Sequence, residues 1–98
     1  MEEQFKKIEK QVNVTTNKIV GLNVQARREQ LGWTSDTLAH KANVDRSYLS
    51  RIETGKVSCS YFILLKLVHA LELPSIDSLC ENANEAVKDF IHEINKEE

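Results

Sequence analysis

A chain of 98 residues, 41% apolar and 29% charged, has the balance of one ordinary globular domain and excludes disordered and membrane classes. With three Gly, one Pro and six aromatics, it reads as all-α with short connections, and its small core leaves little room for a large internal substrate pocket. The net charge of −2 hides a split: residues 1–17 balance, residues 18–56 hold seven basic against four acidic residues, and residues 57–98 hold three against eight.

The N-terminal MEEQFKKIEKQVNV is charged throughout and has no signal-peptide core, and the longest apolar cluster, YFILL at 61–65, cannot span a bilayer. A soluble, cytoplasmic protein without a membrane partner is therefore expected. Phe5, Ile8 and Val12 recur at helical spacing and predict a short amphipathic helix over 2–12, ended by VNVTT, so that residues 1–15 form an appendage. Thr15 or Thr16 caps the first core helix, which runs to Leu31 with Val20, Val24 and Leu31 on one stripe and Gly32 as its stop. Arg28 lies on that same inner stripe and needs a carboxylate there, for which Glu53 is the obvious candidate.

Thr34 or Ser35 caps a short second helix with Leu38, Ala39 and Ala42 inward, and Asn43 stands where a left-handed turn residue is needed. Asp45 caps the third helix and Gly55 ends it. At 100° per residue, Arg46, Ser50, Thr54, Ser47 and Arg51 fill one arc of that helix, while Tyr48, Leu49 and Ile52 fill the other. Small hydroxyl residues permit close approach, and arginine's planar donor fork fits guanine O6/N7 or phosphate, so the outer face suits a DNA major groove. A plain solvated face is the alternative for these residues taken alone. The order of helix, three-residue turn and helix with an exposed arginine face favours the groove reading.

A fourth helix follows KVSCS with Tyr61, Leu64, Leu65, Val68 and Leu71 on its stripe, until Pro74 breaks the pattern. From Ser75 on, Ile76, Cys80, Ala83, Val87, Phe90 and Ile94 recur at intervals of four, three, four, three and four, a heptad seam. It is carried either by a fifth helix continuing through a break near Asn82 and Asn84 or by one long helix. The seam either packs back on its own domain or joins two copies, with Phe90 and Ile94 as anchors and Leu79, Val87 and Ile91 alongside. Cys59 and Cys80 lack metal-ligand spacing and read as reduced thiols; His40, His69 and His92 are scattered; and no nucleophile elbow or cofactor motif is present.

Residues 20–79 resemble the phage-repressor-like helix-turn-helix family of the Cro and XRE type. The resemblance is carried by Arg28 to Thr34, by Leu38-Ala39, by the run from Val44 to Gly55, and by the leucines before Pro74. The R-S-Y-L-S segment is similar to that of small controller proteins of restriction-modification systems and of stand-alone repressors. The resemblance implies a five-helix DNA-binding domain over 16–81, followed by a helical extension over 82–98. It implies base contacts by Arg46, Ser47 and Arg51, backbone contacts by Thr34, Ser35, Tyr48, Ser50, Thr54 and Lys56, and a structural pair of Arg28 with Glu53. Ser35 departs from the glutamine common there, and Asn43 replaces the usual turn glycine. The expected activity is sequence-specific regulation of transcription by a homodimer on double-stranded DNA, with no catalysis, cofactor or metal. The alternative is an antitoxin or adaptor that binds a protein and autoregulates through the same helices.

Overall fold

The computed structural model describes residues 2–96, which form six helices: α1 (Glu2–Gln30), α2 (Ser35–Ala42), α3 (Arg46–Glu53), α4 (Tyr61–Ala70), α5 (Asp77–Cys80) and α6 (Ala83–Lys96). The domain is all-α, as its composition implies. No helix among the described residues is long and apolar enough to cross a membrane.

The first departure from the sequence reading is α1, a single helix of 29 residues that runs through VNVTT without a stop. Low helix propensity at Val12, Val14, Thr15 and Thr16 is overridden by packing. Phe5 and Val12 lie against α6, and Thr16 turns its hydroxyl back onto the Asn13 carbonyl at 2.9 Å instead of capping a new helix. Helix α1 is the beam on which the rest is mounted: its N-terminal half carries α6, and its C-terminal half carries α3 and α5.

The core comprises Val24, Leu38, Leu49, Ile52, Leu67, Leu71 and Leu79, all essentially without solvent exposure. Leu38, Leu49, Leu67 and Leu79 come from four different short helices, α2, α3, α4 and α5, so no one of these helices is stable apart from the others. Gly32 at φ 73° ends α1, and Asn43 at φ 53° ends α2. Helix α4 ends before Pro74, through Glu72 in the left-handed region at φ 57°. Its buried stripe matches the expected one at Val68 and Leu71 and differs elsewhere: Leu67 is also buried, whereas Tyr61 is 70% exposed.

The C-terminal seam is likewise broken. Asn82 adopts φ 71° between α5 and α6, and the side-chain amide of Asn23 in α1 donates to the Leu79 and Glu81 carbonyls at 2.8 and 3.1 Å, closing α5. Leu79 is fully buried in the single chain, so it has no surface to offer a second copy, and the expectation that it lies at an interface is corrected. Beyond the break, α6 packs antiparallel on α1 through Ala83, Phe90 and Ile94, leaving Val87 and Ile91 exposed on its flank.

Two features lock α1 against α3. At Gly21 a Cβ would fall 2.3 Å from the Ile52 carbonyl oxygen and 2.7 Å from that of Glu53, so the two backbones touch where only glycine fits. One helical turn pair further on, Arg28 makes a bidentate pair with Glu53, Nε to Oε2 at 2.9 Å and Nη2 to Oε1 at 3.0 Å, and its Nη1 donates to the Trp33 carbonyl at 2.9 Å. The side chains are only 11% and 8% exposed, yet the guanidinium and carboxylate are matched donor for acceptor. Hydrogen bonding to Glu53 raises the Arg28 pKa further above its ordinary value, against the opposing effect of burial.

Gly21→Ala should therefore lower stability by about 1–3 kcal/mol, or unfold the chain if α1 cannot shift, as read by chemical denaturation. Arg28→Ala and Glu53→Ala should each destabilise by about 3 kcal/mol, and a double-mutant cycle should return a coupling well above about 0.5 kcal/mol, because each single change strands a largely buried charge.

Candidate nucleic-acid interface

Helices α2 and α3 form the pair that projects the candidate site. Thr34 caps α2: its Oγ1 accepts from the Thr37 amide at 3.1 Å, and its hydroxyl is paired with that of Thr37 at 3.0 Å. Ser35 is the first helical residue and half-buried. The turn is Asn43-Val44-Asp45. Val44 plugs into the core while its amide donates to the Ala39 carbonyl at 2.9 Å, and Lys66 Nζ reaches from α4 to the Asn43 carbonyl at 2.7 Å. A lysine ammonium thus supplies the donor that an exposed turn carbonyl otherwise takes from water, and it fixes the turn against the body of the domain.

Asp45 opens α3. Its Oδ2 accepts from the Ser47 and Tyr48 amides at 3.1 and 3.2 Å and from the Ser47 hydroxyl. These donors, Ser47 Oγ foremost, hold the Asp45 carboxyl below the usual carboxylate range. The arrangement also changes what Ser47 offers: its hydroxyl proton is engaged within the cap, leaving its lone pairs outward as acceptors. At the other end, Thr54 donates its hydroxyl to the Ser50 carbonyl at 2.9 Å, and Gly55 at φ 76° turns the chain so that the Lys56 amide closes onto the Arg51 carbonyl at 2.8 Å.

Arg46, Ser47, Ser50, Arg51, Thr54 and Lys56 are all exposed, Tyr48 is half-buried, and Leu49 and Ile52 face inward with almost no exposure. The outer arc of α3 is therefore one convex, close-approach surface with an arginine at each end. Two participants have no local sequence signal. Asp36 on α2 pairs with Arg46, Nη1 to Oδ1 at 3.3 Å, with both side chains well exposed, so the ion pair aims the guanidinium without holding it strongly. Lys41 stands 4.8 Å above the Trp33 ring, adding a second positive charge beside the start of α2. Arg46–Asp36 spans ten residues and two helices, which periodicity within one helix cannot reveal.

The two cysteines are free thiols. Burial, with Cys80 nearby, pushes the Cys59 thiol up to about 11, and burial also raises that of Cys80, so both stay protonated at neutral pH and are poor nucleophiles. Among the described residues, no group of three His, Cys, Asp or Glu side chains is placed to hold a metal ion.

Because the folded-state pKa of Asp45 is depressed, its capping contribution is fully present above the ordinary value near 3.8 and is lost as pH falls through the lower folded value. The difference in Tm between the parent protein and Asp45→Asn should therefore be constant near neutrality and shrink below about pH 4, in thermal melts followed by circular dichroism.

The helix-turn-helix family pattern matches residues 24–77, more than half of the chain. Comparison with curated proteins finds no match. Among solved structures, the restriction-modification controller protein C.AhdI from Aeromonas hydrophila is similar at 30% identity, with a TM-score of 0.62 over 64% of this chain and 94% of that one. The clp gene regulator ClgR from C. glutamicum is similar at 27% identity, with a TM-score of 0.65 over 72% of this chain and 91% of that one. With the capped α2, the left-handed turn at Asn43 and the exposed arginine arc of α3 in place, the chain belongs to the Cro/XRE-type helix-turn-helix family, and it is a DNA-binding transcriptional regulator.

Proposed function

We propose that the chain regulates transcription in the cytoplasm as a homodimer that reads a pseudo-palindromic operator, α3 of each copy entering one major groove. The observation that carries this reading is the exposed arc of α3, where two arginines flank small residues over a helix whose other face is buried through Leu49 and Ile52. Arg46 and Arg51 supply the bidentate donors for guanine edges, and Ser47, its own proton committed to Asp45, accepts from an exocyclic amine of adenine or cytosine. Thr34, Ser35, Tyr48, Ser50, Thr54 and Lys56 ring that arc and contact the sugar-phosphate backbone, fixing register.

Asp36 gives Arg46 a resting partner in the free protein. Exchanging that exposed carboxylate for a base edge or phosphate costs little, so the arginine is held near its working direction at small expense. The excess of acidic residues beyond position 57 keeps the rest of the surface from adhering to DNA indiscriminately, so binding depends on a limited set of phosphate contacts and on pairing of copies.

Arg46→Ala and Arg51→Ala should each weaken a selected operator by about 1–3 kcal/mol and flatten preference at one position per half-site. Lys56→Ala should weaken all sequences alike and reduce the slope of log K against log salt by about one. Selection from random DNA followed by salt-dependent binding measures both. Unchanged affinity and preference in the two arginine variants would remove α3 as the reader.

A further inference from the structure

The N-terminal half of α1 and all of α6 form a two-helix layer that takes no part in the DNA-facing arc. Taking Val12 of α1 as the direction of α6, residues that meet the domain core or α3 fall on one side and at the back of α1: Val20 near 80°, Val24 near 120°, Arg28 near 160° and Gly21 near 180°. The arc from about 260° to 320°, with Gln4, Ile8, Gln11, Thr15 and Leu22, meets nothing comparable. Ile8 is 38% exposed and Leu22 60% exposed. On that same side, the layer opens into an apolar groove of about 410 Å³ floored by Phe5, Val12, Phe90 and Ile94, with Asp89 and Glu93 along its α6 edge.

The charges along this face differ by helix. The α6 edge carries Glu85, Asp89 and Glu93 at successive turns on the flank away from Val87 and Ile91, with Lys96 at its C-terminal end as the basic residue on that flank. The α1 edge carries Lys7 at the margin of its open arc, while Lys18 near 240° lies against Gly55 at the end of α3 and bounds the arc on that side. A second copy laid on this face by a two-fold axis has two choices. An axis across the helices stacks α6 on α6 and brings the Glu85, Asp89 and Glu93 carboxylates of both copies together, with only Lys96 of each on that flank to offset them. An axis along the helices places α1 of each copy on α6 of the other, with Lys7 at the level of the partner's Asp89 and Glu93.

We propose that the groove face of the α1–α6 layer is where a second copy docks, the two-fold axis running along the helices to give a four-helix bundle in which α1 of each chain lies on α6 of its partner. This rests on the reading of the chain as a regulator that binds DNA in pairs, and it specifies the surface and the symmetry. The domain core lies on the opposite side of the layer, so the bundle leaves α3 uncovered. Because both α1 helices then point the same way, both reading heads stand at one end of the bundle, on either side of the axis, as a pseudo-palindrome requires. The interface replaces the flank of Val87 and Ile91 as the contact between copies and retains Phe90 and Ile94.

The test uses the full chain without DNA, so that its outcome is independent of whether α3 reads bases. Lys7→Glu in one preparation and Asp89→Lys/Glu93→Lys in another each place like charges at both symmetric ends of the interface, while a mixed pair restores opposite charges at both. By sedimentation at tens of micromolar, the parent chain should run as a dimer, each variant as a folded monomer with unchanged circular dichroism, and their equimolar mixture as a dimer again. Leu22→Asp, on the open face and away from α6, should also give a monomer or weaken the dimer at least tenfold. The proposal is overturned if the parent chain is a monomer throughout, if both charge variants remain dimers, or if the folded variants fail to recover on mixing. It is equally overturned if Phe62→Asp, on the exposed end of α4, is what abolishes the dimer.

Discussion

The structure depends on the contact of α1 with the end of α3. At Gly21 the two backbones meet without an intervening side chain, and at Arg28 a guanidinium uses three of its donors on Glu53 and the Trp33 carbonyl. The first sets how close the helices come, and the second sets their rotation, since a bidentate pair tolerates little misalignment. Everything the recognition helix does is referred to α1 through these two points. Its own eight residues are too few to form a stable helix alone.

The turn between α2 and α3 shows the same economy of means. Asn43 supplies a left-handed backbone, Val44 a buried anchor, Asp45 a cap, and Lys66 a donor from across the domain. None of these groups faces outward to a ligand in the way the arginines do, yet they decide where Arg46 and Arg51 point. The division of labour runs along the sequence at short range: residues 43–45 orient, and residues 46–54 present.

Much of this was legible in the sequence because it is governed by local rules. Caps at Thr34 and Asp45, the left-handed position at Asn43 and the stop at Gly55 each follow from the chemistry of one side chain and its immediate backbone. The inward placement of Leu49 and Ile52 followed from the 3.6-residue period. What periodicity could not supply was decided at long range. The Val and Thr of VNVTT are poor helix formers, but α6 covers one side of them and the helix continues. Leu79 stands beside the expected apolar seam, but the chain turns at Asn82, and Asn23, bonded to the Leu79 carbonyl 56 residues away, holds α5 so that Leu79 enters the core rather than facing a partner. Glu72 ends α4 in a conformation that its residue type does not favour, and only the packing of Leu71 and Leu73 around it accounts for that.

The uninterrupted α1 has a consequence for how such a protein can change. Its 29 residues join the α6 layer to the α3 contact with no hinge between them, so the two surfaces keep a fixed phase. Adding one residue between Val12 and Gly21 would turn one surface by about 100° relative to the other and advance it by about 1.5 Å, whereas adding seven would restore the phase to within about 20°. Length variation in this stretch is therefore quantised: relatives that preserve both surfaces should differ there by whole turns of helix, and single insertions should uncouple the surfaces while leaving each of them folded.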